Sequence, residues 1–189
     1  MAPGIFHVWT HSVWTSVLFR DDIDRMTLVT ELAAMTAKLD WTCIGFCLLT
    51  THYHLIVETF DESLGIGMKR LNLGHASRYN GRHKLRGHVV DGRYSSKRVT
   101  TEEQLLTTYR YVARNALEAG LCDSPGEWPW GSYRSLIHPV EPFTFVDVSR
   151  VLSCLSPEGT AIEQLRRFVE APGDRPGSVP RVEGGESAP

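Results

Sequence analysis

Two histidines two residues apart, His52 and His54, flank Tyr53 at the start of a run with strand character, YHLIVE. In an extended strand the side-chain period is two, so both imidazoles point to the same face of a sheet. A pair placed in that way can bind a divalent ion, because imidazole suits Zn, Mn, Fe, Ni and Cu, and a further carboxamide or carboxylate leaves positions open for substrate phosphate oxygens. Among eight histidines, such a pair taken alone also fits two half-buried or solvent-facing rings. A second constellation is Tyr111 with Asn115, four residues apart and on one face of any helix that carries both. A tyrosine hydroxyl becomes a nucleophile when its proton can be removed, and a neighbouring side-chain oxygen can complete a metal's ligands. The alternative is an ordinary core tyrosine whose hydroxyl meets a backbone carbonyl. Tyr109 is the reserve candidate, on a different side of the same helix.

Charge supplies the third feature. The chain of 189 residues has a net charge of −2, yet between Met68 and Arg98 nine bases face one acid, Asp91, a local charge of +8 before any histidine. Neutralising phosphates releases counterions whatever the overall balance, so a stripe of this kind suits nucleic acid. It equally suits a solvated basic helix and hairpin.

The elements that must position these residues follow from patterning. Ile5 to Leu18 is rich in β-branched and aromatic residues and predicts a strand or strand pair. Asp21 and Asp22 then cap a helix carrying Ile23, Met26, Val29, Leu32 and Met35 up to Asp40. Trp41 to Thr50 and Tyr53 to Glu58 predict two strands of one sheet. Asp61 to Ser63 open a helix through Leu64, Met68 and Leu71, weakened by Gly65, Gly67 and Gly74. Gly87 to Val99 predicts a basic loop and short strand, and Thr101 caps a helix that Gly120 closes. The order is that of an α+β split βαβ sandwich, an antiparallel sheet covered by helices.

Aromatic residues Trp128, Trp130 and Tyr133 in the turn-rich segment from Cys122 to Ile137 are expected to pack back onto the body. A helical extension is expected between 139 and 171 and a disordered tail from 172 to 189, which leaves 1–138 as the main domain. One core is what this length allows. Cys43, Cys47, Cys122 and Cys154 form no C-x-x-C pair and read as free thiols. No apolar run approaches the roughly 20 residues of a membrane span and the start lacks a secretory signal, so a cytoplasmic protein is expected.

Taken together, the H-x-H strand, the basic G-R-Y segment and the Tyr-x-x-x-Asn helix resemble the single-tyrosine HUH transposases, most closely the REP-associated tyrosine transposase group of IS200-like enzymes. The stretches concerned are FCLLTTHYHLIVE (46–58), MKRLNLGHASRYNGRHKLRGHVVDGRY (68–94), LLTTYRYVARNALEAGL (105–121) and EWPWGSYRSL (127–136), within residues 5 to 137. The resemblance implies a ferredoxin-like HUH endonuclease fold. It implies that His52, His54 and Asn115 hold Mg or Mn against a scissile phosphate, and that Tyr111 attacks to leave a 5'-phosphotyrosine and a free 3'-OH. Single-stranded or hairpin DNA would be the partner, contacted by Lys69, Arg70, Arg78, Arg82, Arg86 and Arg93, with unpaired bases stacked on aromatics such as Tyr79 or Tyr94. Two positions depart from the family pattern: Thr50-Thr51 stands where Pro-Asn or a similar pair precedes the first histidine, and Ala116 where proline follows the asparagine. Neither removes a proposed ligand or the nucleophile. A domesticated, non-cleaving hairpin-binding protein and a hydrolase using water are the competing classes. The resemblance covers relatives that work as dimers and others that work as monomers, so it implies either a homodimer or a monomer.

Overall fold

The computed structural model describes residues 3–13, 16–138, 143–155 and 160–172. Four strands form one antiparallel sheet: β1 (Gly4–His11), β2 (Thr42–Leu48), β3 (His52–Thr59) and β4 (Ser95–Val99), in the order β2-β3-β1-β4. Helix α1 (Asp22–Leu39) connects β1 to β2, and α2 (Asp61–His83) connects β3 to β4. This is the split βαβ order expected from the sequence. Helix α3 (Glu102–Glu118) follows β4, and the chain continues through a 3-10 turn (Pro125–Glu127), α4 (Ser132–Ile137), α5 (Ser149–Leu152) and α6 (Ala161–Glu170). The tail expected from 172 onward lies outside the described residues apart from Pro172 itself.

Helix ends follow their local chemistry. Asp21 caps α1 by accepting from the Asp24 amide at 3.1 Å, and Thr101 caps α3 by accepting from the Gln104 amide at 3.1 Å. Gly120, at φ +69°, turns the chain away from α3 in a conformation other residues rarely adopt. Helix α2 is longer than its glycines suggest. The indole of Trp41 lies where a side chain at position 67 would stand, so Gly67 lowers helix propensity while allowing the helix to approach the sheet. The same indole donates to Ser63 Oγ at 2.9 Å, tying the start of α2 to the start of β2.

The sheet is covered on both faces. On one, Phe6, Val8, Leu55 and Val57 pack against Leu28 and Leu32 of α1 and Met68 and Leu71 of α2. On the other, Ile44, Cys47 and Ile56 pack against Leu105, Tyr109, Val112 and Ala116 of α3, and this core extends to Tyr133, Val151, Leu165 and Val169 in α4, α5 and α6. Cys43 and Cys47 are buried free thiols, pushed up to about 12 by that burial. The outer side of β2 is met by later chain: the Asp147 amide donates to the Cys43 carbonyl at 2.8 Å, and the Leu48 amide to the Trp130 carbonyl at 2.9 Å. Among the described residues of the run Ile5 to Leu18 there is one strand, β1, which ends at His11. No helix among the described residues is long and apolar enough to cross a membrane.

Candidate active site on the α3 face of the sheet

Register decides which histidines meet. In the β1–β3 ladder His11 lies opposite His52 and Trp9 opposite His54. Alternation sends His7, His11, His52 and His54 to the face that α3 covers, while Phe6, Val8, Tyr53 and Leu55 go to the other. The His11 and His52 rings stack at 4.8 Å, the His7 and His54 rings at 5.1 Å, and the His52 and His54 rings meet edge to face at 5.2 Å. Sequence reading singles out only half of this group. A signal for the rest is present, since His7 and His11 are four apart in a strand and share a face; their partners are not visible without the register.

Helix α3 brings Tyr111 and Asn115 to the same place. The half-buried Tyr111 ring stands edge-on to His54 at 5.4 Å and to His7 at 5.7 Å. Asn115 is 7% exposed, and its side chain acts on the His52 ring, opposing the effect of burial there. Tyr109 is elsewhere: its ring is buried against Gly45 of β2, where burial raises its hydroxyl above the ordinary range. That places the reserve candidate in the core, with its hydroxyl unpartnered among the described residues.

Burial makes these imidazoles neutral at pH 7. It lowers His7 to about 4, helped by the nearby charge of Lys97, and lowers His52 to about 4, helped by His11 and opposed by the Asn115 side chain. His54 is held well below the usual histidine range by burial first and then by His7, His52 and His11. Neutral rings keep a lone pair for a cation. His54 is 4% exposed and its Nε2 is buried without a hydrogen-bond partner among the described residues, which is costly for a polar atom unless something is bound there. Two neutral imidazoles, one with an unused nitrogen, and an adjacent carboxamide fit a divalent ion as a donor set. Among the described residues no group of three or more His, Cys, Asp or Glu side chains is arranged to hold a metal. His52, His54 and Asn115 fall outside that description because the third donor is an amide.

Of the six basic residues expected at DNA, two have carboxylate partners. Arg82 binds Asp21 and Asp24 of α1, with Nη1 to Asp24 Oδ1 at 2.6 Å, and Arg78 pairs with Glu31. The Arg82 hydrogen bonds hold Asp21 down at about 2 and raise Arg82 itself. Asp24 is buried, which alone would raise its pKa; hydrogen bonds from the Arg20 amide, His83 and Arg82 outweigh that and leave it lowered. Lys69, Arg70, Arg86 and Arg93 are exposed. Lys69 and Arg93 line a cleft with Asn72, Asn80, His88 and Tyr94, between α2 and the loop that precedes β4.

A solved structure of a REP-associated tyrosine transposase bound to a REP hairpin superposes on this chain with a TM-score of 0.62, covering 78% of this chain and 88% of that one at 13% identity. The chain has the fold of that transposase. That fold is α+β, a four-stranded antiparallel sheet with helices packed on it. No protein-family model matches the sequence, and no curated protein does.

Proposed function

We propose that this protein is a metal-dependent tyrosine DNA transposase that nicks and rejoins DNA at hairpin or repeat sequences through a 5'-phosphotyrosine intermediate. The observation that carries the proposal is the convergence of Tyr111 from α3 onto His7 and His54, beside His52 and the Asn115 side chain that acts on it. The similar structure, with its bound REP hairpin, supports a DNA partner.

His52, His54 and Asn115 are the residues that would hold Mg or Mn. When bound, such an ion supplies Lewis acidity, polarising a phosphoryl oxygen and stabilising the charge that develops around phosphorus. Tyr111, fixed at one turn of α3, supplies the nucleophile at a defined position. Its Oη bonds to phosphorus as its proton departs, the P–O3' bond breaks, and the 3' oxygen takes a proton to leave as a hydroxyl. The phosphodiester is conserved as a tyrosine ester, so a 3'-OH can reverse the step and join a strand without an external energy source. Lys69, Arg70, Arg86 and Arg93 supply phosphate contacts that set affinity and register.

The test is a denaturing gel of the protein with labelled single-stranded hairpin DNA and Mn or Mg. A protein–DNA adduct is expected for the wild type and is expected to vanish with Tyr111→Phe, with His52→Ala and with EDTA. Nicking that survives Tyr111→Phe would assign the attack to water. Tight binding with no adduct across a broad hairpin set would leave a non-cleaving hairpin-binding protein.

A further inference from the structure

The hydrogen bond between His7 Nε2 and His54 Nδ1, at 3.0 Å, gives His7 a role that neither the H-x-H motif nor the nucleophile assigns to it. A hydrogen bond between two imidazole nitrogens needs one N–H and one lone pair, so only one of the two nitrogens in the contact donates. If His54 donates from Nδ1, its Nε2 is a bare lone pair. If His7 donates instead, the His54 proton sits on Nε2, an N–H buried with no acceptor among the described residues and unable to ligate a cation. Only the first arrangement makes His54 a ligand through its unpartnered nitrogen.

We infer that His7 is a positioning residue: it accepts the Nδ1 proton of His54, fixes that ring in the tautomer whose Nε2 is free, and holds its plane for metal binding. This rests on the reading of His54 as a metal ligand given above. A ligating histidine is ordinarily oriented by such an acceptor on its other nitrogen, and loss of the acceptor weakens the metal by about 10–100-fold. The neighbouring histidine has the same kind of contact, with His52 Nδ1 lying 3.2 Å from Thr51 Oγ1. The two contacts engage Nδ1 on both rings. They differ in setting, since His54 is buried and Thr51 exposed, so water can replace the threonine hydroxyl and cannot readily replace His7. The strand pairing fixes the geometry: His7 sits one pleat from Trp9, the residue opposite His54, and the 5.1 Å stack keeps the rings in diagonal contact.

Two measurements on the full chain test this. Long-range proton–nitrogen NMR of the metal-free protein reads the His54 tautomer directly, and calorimetric titration with Mn alone reads affinity. Wild type is expected to carry the His54 proton on Nδ1. In His7→Phe, which keeps an aromatic ring but removes the acceptor, the proton is expected to distribute between both nitrogens and the Mn dissociation constant to rise about 10–100-fold. His7→Gln, whose side-chain oxygen can accept from Nδ1, should recover most of that loss. A wild-type His54 proton on Nε2 overturns the proposal. So does unchanged Mn affinity in a His7→Phe protein whose circular dichroism and Tm match the wild type. Absence of Mn binding to the wild type instead overturns the metal reading itself, and the NMR result separates the two failures.

Discussion

Strands β1 and β3 serve two faces of one sheet, and successive residues along them have different fates. Toward α1 and α2 point Phe6, Val8, Leu55 and Val57, closely packed, and the one phenol among them is satisfied, since Tyr53 donates to Asn72 Oδ1 at 2.6 Å. Toward α3 point His7, His11, His52 and His54, and there His54 Nε2 has no partner among the described residues. The first face is finished with apolar contacts and a closed hydrogen bond. The second keeps desolvated polar atoms side by side, an arrangement that costs stability unless a ligand offsets it. What separates packing from chemistry here is a shift of one residue along the same strand.

Neighbouring substitutions break the contrast most directly. Leu55→Ala is expected to cost about 2–5 kcal/mol in urea unfolding, from lost burial and the cavity left behind. His54→Ala, one residue away and equally buried, is expected to cost much less while removing DNA–protein adduct formation. Equal losses of stability from the two would show that the histidine face is packed for stability like its opposite.

Acidity sharpens the comparison with a smaller effect. His7 and His52 titrate at about 4 when folded, against about 6.5 when unfolded. Between those values the unfolded chain binds protons that the folded chain does not, so stability falls as pH drops from about 6.5 to about 4 and is flat above that window for these groups. The groups facing them are His54, Tyr111 and Lys97 around His7, and His11, His54 and Asn115 around His52. The urea midpoint of metal-free protein, followed from about pH 7.5 to about pH 4, should decline across this window, and a His7→Phe variant should decline less. Asp21, held at about 2 by Arg82, contributes in a separate and lower window, with stability lost as pH falls below the ordinary carboxylate range.

The smallest effects separate two arginines of α2. Arg70→Gln should leave Tm unchanged and reduce the salt dependence of DNA binding by about one phosphate contact. Arg82→Gln should lower Tm, because it strips a partner from buried Asp24, and should leave the salt dependence nearly intact. A reversed pattern in the two variants would move Arg82 from the scaffold to the DNA surface.

These cases mark what is legible in the sequence. Alternation in YHLIVE and the four-residue spacing of Tyr111 and Asn115 are local periodicities, and local periodicity is readable without a structure. Helix α2 looks weak because propensity penalises Gly67, whereas the reason for that glycine is the indole of Trp41, the residue just before β2. Arg78 and Arg82 look like free charge because the carboxylates that bind them, Glu31, Asp21 and Asp24, lie on α1 and meet α2 only in the folded chain. His7 escapes notice for the same reason: its meaning is set by the β1–β3 register.

The closed outer side of β2 bears on handling and self-association. Its backbone is taken up by Trp130 and Asp147, so strand addition from another molecule is blocked at that end of the sheet. The opposite margin, β4, is five residues long and carries Lys97 and Arg98, a short charged edge poorly suited to templating a neighbour. A fragment ended before residue 143 would lose the Asp147 contact along with α5 and α6, baring one of the most apolar strands of the protein. Such a fragment would be prone to aggregate, and expression trials that trim the chain to its sheet and first four helices would encounter insolubility before they could ask about cleavage.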